Sequence, residues 1–385
     1  MPAGFSLRWL FLYQPGRTLA GIVQALGRAL ICLEQEVFYL EISDLTPEEI
    51  ILQTRKIQPD IIFTLDNLLN HPLQNYLEEL LCQLNPCWYL CWFVDHPFGF
   101  NPHLIPRESS VIFCWDSAYL NQLKKFTQTE RIYHLPLAGE NNFKKKSTRA
   151  GWKVSFLGSL SYQNPFLDNL IFSCPDLSRL AKTYLEKAKE LLSRDRLALA
   201  GEVLSAQAGD WYEKLAPGYQ EVVKFALGYY ADKQLRKGLA EASPIRLTVF
   251  GDEGWRELGE KIDFQGAVDY SKRFEVYAGS ELNLNLHQSQ CRNGLNQRVY
   301  EVPLAGGFLI TDLRPELERF DKKNWICYKS FQELKDLISY WLKKPSEREK
   351  KISSARREVL SYHLYQHRAQ EILKILKKER GRWVK

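Results

Sequence analysis

The chain has 385 residues, 45% hydrophobic and 25% charged, with 52 Lys and Arg against 46 Asp and Glu and a formal charge of +6. This composition excludes a disordered chain, and the length predicts two domains at roughly 100–200 residues each. The longest apolar run, residues 87–94, falls far short of the about 20 residues of a membrane span, and residues 9–13 are too short for a signal-peptide core, so a soluble, cytoplasmic protein is expected.

The first part of the chain alternates strand and helix. Residues 7–13 form an apolar run ended by Gln14-Pro15-Gly16, and residues 20–33 have helical periodicity. Residues 37–42 read as a strand. Thr46-Pro47-Glu48-Glu49 then opens a helix with a cap residue and Pro at the first helical position. Strands at 60–65, 88–94, 111–115 and 131–137 follow, with helices at 73–84 and at 118–126, the latter capped by Asp116-Ser117. Apolar strands without alternation, separated by helices, predict a parallel sheet covered on both faces. A Rossmann-like domain is therefore expected over residues 1–140. The polar and basic stretch 141–151 reads as a linker.

A second α/β unit is expected over residues 152–360. It opens with a strand at 153–157 and is interrupted by a helical insertion at about 168–243. Strands resume at 245–250, 262–264, 282–286, 308–311 and 325–328. From Phe331 the chain is almost all helical, ending in a basic helix over 361–385. Residues 341–385 hold 14 Lys and Arg against 5 Asp and Glu, which leaves the rest of the chain at −3. This pattern excludes a protein wrapped on nucleic acid. It leaves one basic tail, read as a solvated face or as a peripheral contact with an anionic surface such as a membrane. The eight cysteines form no CxxC pair and read as free thiols of a reducing compartment. Two α/β units facing each other would form a cleft lined by the carboxyl ends of both sheets.

The most informative stretch is residues 281–312, which reads as strand, polar loop, helix, Gly-Gly stop and strand. Its loop runs from His287 to Asn293 and passes through Gly294 into a helix, whose N-terminus offers free N–H groups and a positive dipole to a phosphate. Arg298 lies about one turn in, with Glu301 three residues on and on the same face. A guanidinium there can grip a diphosphate and a carboxylate can accept both hydroxyls of a ribose; the same spacing also suits a surface Arg–Glu pair. Gly306-Gly307 ends the helix. Asp95 and His96 follow the strand 88–94 and so stand at a carboxyl edge, where they suit an acid–base or acceptor-orienting role, or a turn fixed by Pro97. Gly158 and Ser159 follow the strand 153–157 and read as backbone donors to a ligand or as a simple turn. Asn283 and Asn285 read as structural. His363 and His367 share a helix face but no third ligand is evident, so no metal site is expected. No P-loop and no G-x-G-x-x-G occurs, which gives ATP or NAD chemistry no support.

The stretch GLNQRVYEVPLAGGFLITDLRPELERF closely resembles the C-terminal domain of the CgeB-like (spore-maturation-protein-like) glycosyltransferases, of the group 1 glycosyltransferase superfamily. CWFVDHP, VIFCWDSAYL and IYHLPLA resemble that family's N-terminal domain, and VSFLGS, LTVFGDEGW and YHLYQHRAQEIL its C-terminal domain, in order along the chain. The resemblance implies a GT-B fold and transfer of a sugar from a nucleotide-diphosphate sugar, with the donor on the second domain, the acceptor on the first, and the final helix packing back toward the first domain. Carried over by position, Glu301 holds the donor ribose and Arg298 meets the diphosphate. The family's retaining relatives often carry a Glu where this chain has Asn293, which leaves the stereochemical outcome open. The absence of Asp-x-Asp suits a metal-independent GT-B enzyme without a cofactor, in which a helix dipole and basic side chains stabilise the leaving diphosphate. A sugar-nucleotide epimerase of similar architecture and a non-catalytic binding protein are the competing readings.

Overall fold

The computed structural model describes residues 6–15, 17–84, 86–99, 102–106, 110–141, 151–160 and 165–380; most of the stretch read as a linker (142–150) and the last five residues lie outside them. The chain divides into two units, Met1–Ala138 with His363–Lys385, and Gly139–Tyr362.

The first unit is built on β1 (Arg8–Tyr13), β2 (Glu36–Glu41), β3 (Ile61–Leu65), β4 (Trp88–Phe93), β5 (Ser110–Cys114) and β6 (Ile132–His134), all parallel in the order β2-β1-β3-β4-β5-β6. Every residue of β3 and β5 is buried, which is why these strands read as unbroken apolar runs; β2, at the sheet edge, is half exposed. Thr46 caps the helix Pro47–Ile57 through a reciprocal box: its side chain accepts from Glu49 N at 3.3 Å, and its N–H donates to Glu49 Oε2 at 2.8 Å. The helix Tyr365–Arg380 belongs to this unit and packs on the helix Arg17–Ile31. Its Arg368 donates to the carbonyls of Pro136 (2.9 Å) and Leu137 (3.3 Å). Its fully buried Glu379 accepts from Arg131 Nε (3.2 Å) and the Tyr133 hydroxyl (2.7 Å).

One feature of this sheet has no counterpart in the sequence reading. Directly after β3, five successive residues without a glycine, Asp66 to Asn70, have φ between 45° and 63°. A left-handed residue costs roughly 1–2 kcal/mol, so the turn persists only because its surroundings hold it. Asn67 N bonds Cys91 Sγ at 3.2 Å, Tyr89 Oη donates to Asn67 Oδ1 at 2.9 Å, and Asn70 Nδ2 donates to Gly99 O at 2.8 Å.

The second unit is built on β7 (Trp152–Leu157), β8 (Leu247–Phe250), β9 (Ile262–Gly266), β10 (Ser280–Asn285), β11 (Leu309–Asp312) and β12 (Ile326–Tyr328), again all parallel, in the order β12-β11-β10-β7-β8-β9. The strand order reverses between β7 and β10, and ligands of open α/β sheets bind outside the carboxyl ends of strands at such a point. Between β7 and β8 come the helices Pro165–Phe172, Pro175–Glu190, Arg196–Gln207, Asp210–Glu213 and Pro217–Ala242. They pack on one another through Leu180, Tyr184, Leu199, Val203 and Leu227, all 1% exposed or less, and share one apolar core with the sheet. The sequence expectation of two parallel-sheet units with a helical insertion in the second agrees with this topology.

Candidate functional site

The carboxyl edge of the second sheet brings together most of the residues singled out in the sequence. Asn283 and Asn285 alternate with leucines along β10, and both are buried. Asn283 Nδ2 donates to Tyr277 O at 3.0 Å, so this residue is structural. Asn285 exchanges amide bonds with Asn296 (2.9 and 3.2 Å), donates to Thr311 at 3.0 Å and accepts from Arg298 Nη1 at 2.9 Å. Asn296 stands at the N-cap of the helix Gln297–Ala305, but its side chain is spent on Asn285 and makes no cap bond. The cap side chain therefore takes none of the first-turn N–H groups, although Val299 N bonds Asn296 O at 3.2 Å, and the positive end of the helix dipole faces this edge. The helix ends at Gly306, whose φ of 82° is the left-handed cap expected of Gly306-Gly307.

Arg298 leaves this helix toward the turn after β7. Its guanidinium lies 5.2 Å from the centroid of the Phe156 ring. A Cβ on Gly158 would come within 2.7 Å of Arg298 Nη2, so only glycine admits the guanidinium here. Gly158→Ala should leave the fold intact, because the end of a flexible side chain can move away, while displacing Arg298 from its seat. Thermal melting is expected to change by no more than a few degrees, and any ligand of Arg298 to bind about tenfold more weakly. Equal affinity in the two proteins would mean that the seat is irrelevant. Ser159 is exposed.

Glu301 is 5% exposed and does not pair with Arg298. Its Oε1 takes both Nε and Nη2 of Arg273 at 2.9 Å and the Tyr270 hydroxyl at 3.3 Å. Burial pushes the carboxyl above its ordinary value, against the pull of Arg273. Oε2 has no hydrogen-bond partner among the described residues, so half of the carboxylate is held and half is available. Arg298 in turn has no carboxylate within ion-pair distance among them. The surface Arg–Glu pair is thus not what the structure contains. Arg273 and Tyr270 were missed in the sequence because neither carries a local motif.

The loop between β10 and this helix is fixed by a buried ion network. Asp312, at the end of β11, accepts from His287 N (2.9 Å) and lies 2.6 Å from His287 Nδ1. Arg314 donates to its other oxygen from Nε (3.0 Å) and Nη2 (2.6 Å). Burial works against the Asp312 carboxylate, but His287 and Arg314 hold it well below the ordinary carboxylate range. Burial holds the His287 imidazole below its ordinary value and so keeps it neutral at pH 7. His287, expected from the sequence to face a donor, is 1% exposed and stands inside this network; its side-chain bond is to Asp312. Further along, Ser289 donates N–H and hydroxyl to Asp232, and Arg292 Nε donates to Asp195 Oδ2 at 2.8 Å. Asn293 is half-buried and its carbonyl accepts from Glu316 N at 3.1 Å, while Gly294 is buried.

In the first unit Asp95 and His96 follow β4, as expected. Asp66, fully buried at the start of the left-handed turn, accepts from Val94 N at 2.8 Å and Asp95 N at 3.1 Å. Burial, and then the neighbouring Asp95 charge, push the Asp66 carboxyl well above the ordinary range. Asp95 itself is half-buried, and its carbonyl accepts from the Trp115 indole at 3.3 Å. His96 is 5% exposed and packs edge-on to Phe98 (5.6 Å) and Tyr119 (5.2 Å). Of the two, only Asp95 combines a titratable side chain with partial exposure. Among the described residues no three His, Cys, Asp or Glu gather in a way that could hold a metal ion.

Residues 232–374 match the family model described as glycosyl transferase-like. The match covers β8 to β12 and the helix that carries Arg298 and Glu301. No curated protein matches the sequence. Among solved structures, Alr3699/HepE of Anabaena in complex with UDP-glucose is 12% identical, with a TM-score of 0.58, over 97% of this chain and 100% of that one. An α1,3-fucosyltransferase is also 12% identical, with a TM-score of 0.47, over 97% and 90% of the two chains. The glycosyltransferase VinC in complex with dTDP is 9% identical, with a TM-score of 0.44, over 97% and 100%. The fold is that of the GT-B glycosyltransferases: two α/β units, each on a six-stranded parallel sheet.

Proposed function

We propose that the chain is a glycosyltransferase of the CgeB-like group, which moves a sugar from a nucleoside-diphosphate sugar to an acceptor. The observation that carries this reading is the pairing of two half-satisfied groups on one helix. Among the described residues Arg298 has no carboxylate partner, at a helix N-terminus that the Asn296 side chain does not cap, and Glu301 is clamped by Arg273 through one oxygen only. A diphosphate complements the first and a ribose diol the second. Gly158 admits the guanidinium, and the loop of His287, Asn293 and Gly294 sets the start of the helix. The helix dipole and Arg298 then stabilise the charge that develops on the leaving diphosphate, work that a metal performs in other transferases. Asp95 serves the acceptor as base. The reaction is expected in the cytoplasm; among the described residues no helix is long and apolar enough to cross a membrane.

Calorimetry with UDP, dTDP and GDP tests the donor site. Arg298→Ala and Glu301→Ala should each weaken the preferred nucleotide about ten- to a hundredfold, the loss of a charge-assisted hydrogen bond. Unchanged affinity in both folded variants would overturn the assignment. Incubation with a panel of nucleotide sugars in EDTA then separates transfer or hydrolysis from isomerisation or inertness. Loss of activity in EDTA, restored by Mg²⁺ or Mn²⁺, would refute the metal-free mechanism.

A further inference from the structure

The helical insertion between β7 and β8 far exceeds what a crossover between two parallel strands needs, and its longest helix, Pro217–Ala242, reaches the carboxyl edge described above. Gly228, Asp232 and Arg236 follow one another at intervals of four residues and so share a face. The first two hold the loop after β10. The Gly228 carbonyl accepts from the Ser289 hydroxyl at 3.2 Å, and Asp232 accepts from the Ser289 hydroxyl at 2.7 Å and from its N–H at 2.8 Å. Arg236 continues this face one turn further and reaches the turn after β7, where Nη1 donates to the Ser159 carbonyl.

Arg236 is 7% exposed, yet that carbonyl is its one hydrogen-bond partner among the described residues, and no carboxylate stands within ion-pair distance of it. Arg298 reaches the same turn, within 2.7 Å of a Cβ position on Gly158, and it too has no ion pair among the described residues. Gly158 and Ser159 are thus met by two guanidiniums, each buried or half-buried and neither with a carboxylate within ion-pair distance among the described residues. Burial, with Arg298 and Arg196 nearby, lowers the Arg236 pKa to about 10 against the pull of Asp232 and Asp252. Arg314, by contrast, is given a forked carboxylate in the network around Asp312, whereas Arg368 in the first unit is held by backbone carbonyls with no carboxylate in ion-pair distance among the described residues; what sets Arg236 apart is a second guanidinium, that of Arg298, at the same turn. Two guanidiniums without an ion pair at one turn have a cost that an anion would remove. The anion that suits two forks at the switch point of a sheet is one with two linked charged groups.

We propose that Arg236 is a second guanidinium for the donor's diphosphate, so that the helical insertion is a working part of the donor site. The proposal rests on the glycosyltransferase reading but goes beyond it, since that reading needs only Arg298 and Glu301. It assigns the insertion a role in binding: the helix that pins the β10 loop through Asp232 also delivers a charge to the ligand through Arg236.

The test is calorimetry with whichever of UDP, dTDP and GDP binds the wild-type protein best, alongside its parent nucleoside. Arg236→Gln keeps a hydrogen-bond donor for Ser159 and loses the charge. It should weaken the diphosphate about tenfold and leave the nucleoside unchanged. Glu301→Ala, the control for the ribose, should weaken both. Arg236→Lys keeps the charge without the fork and should fall between wild type and Arg236→Gln; should the Gln variant fail to fold, the Lys variant alone must show weaker diphosphate and unchanged nucleoside binding. Equal losses for diphosphate and nucleoside, or no loss, would reduce Arg236 to a support for the Ser159 turn and overturn the proposal. A wild-type protein that binds none of the three nucleotides would instead remove the donor reading itself.

Discussion

Asp95→Asn is expected to lower kcat by about 10²–10⁴-fold while leaving nucleotide affinity unchanged, the signature of a lost general base. The substitution is nearly isosteric and removes only charge and basicity. The backbone of Asp95 has hydrogen bonds of its own: its N–H bonds Asp66 Oδ1 and its carbonyl takes the Trp115 indole. An altered rate would therefore report on the carboxylate and not on a shifted loop. Nucleotide affinity serves as the internal control, because Arg298 and Glu301 lie in the other unit. Steady-state rates with calorimetry of the same preparation make the measurement. A fall of less than tenfold would leave Asp95 as a structural residue of the turn.

Asp312→Asn should cost about 3–5 kcal/mol of stability at pH 7, the usual result of removing one partner of a buried charge pair. Arg314 and Asp312 are both fully buried, so Arg314 loses its counter-charge, and Arg196, whose Nη2 lies 3.7 Å from the same carboxylate, is left with Asp232 alone, 3.8 Å from its Nη1. The pH dependence has a definite sign. Asp312 titrates well below its unfolded value, so its contribution is complete above the ordinary carboxylate pKa and fades as pH falls toward the folded one. Urea titrations should show a wide gap between wild type and variant at neutral pH and a narrowing gap below about pH 4. A constant gap across that range, or a loss under 1 kcal/mol, would contradict the assignment.

The strands were legible because both faces of each sheet are covered: in β3, β4 and β5 nearly every position is buried and must be apolar. The stretch around Arg298 was legible because a polar loop, a basic residue, an acidic residue one turn on and a glycine stop fall there in fixed order. Less visible were features imposed from far along the chain. The strand expected over 131–137 ends at His134, and Arg368, more than two hundred residues on, takes the carbonyls of Pro136 and Leu137 that a neighbouring strand would have used. The helix expected over 73–84 begins as a 3-10 stretch, Pro72–Tyr76, before the α-helix Leu77–Gln83. The left-handed turn contains Leu68 and Leu69, which have no local preference for that conformation; a hydrogen bond from Tyr89 and bonds to Cys91 Sγ and the Gly99 carbonyl fix it. Arg273 and Arg236 look like surface cations in the sequence, because charge alone does not report burial.

The first unit is interrupted in sequence by the whole of the second. Its sheet is complete by His134, but the helix that covers Arg17–Ile31 and neutralises Arg131 begins at Tyr365. A ribosome adding 5–20 residues per second takes roughly 11 to 45 seconds to make the 224 residues between Ala138 and His363. Throughout that interval the nascent first unit carries an open apolar flank, and by residue 328 the second unit has every one of its strands and can close before it. The unit begun first is therefore the unit finished last.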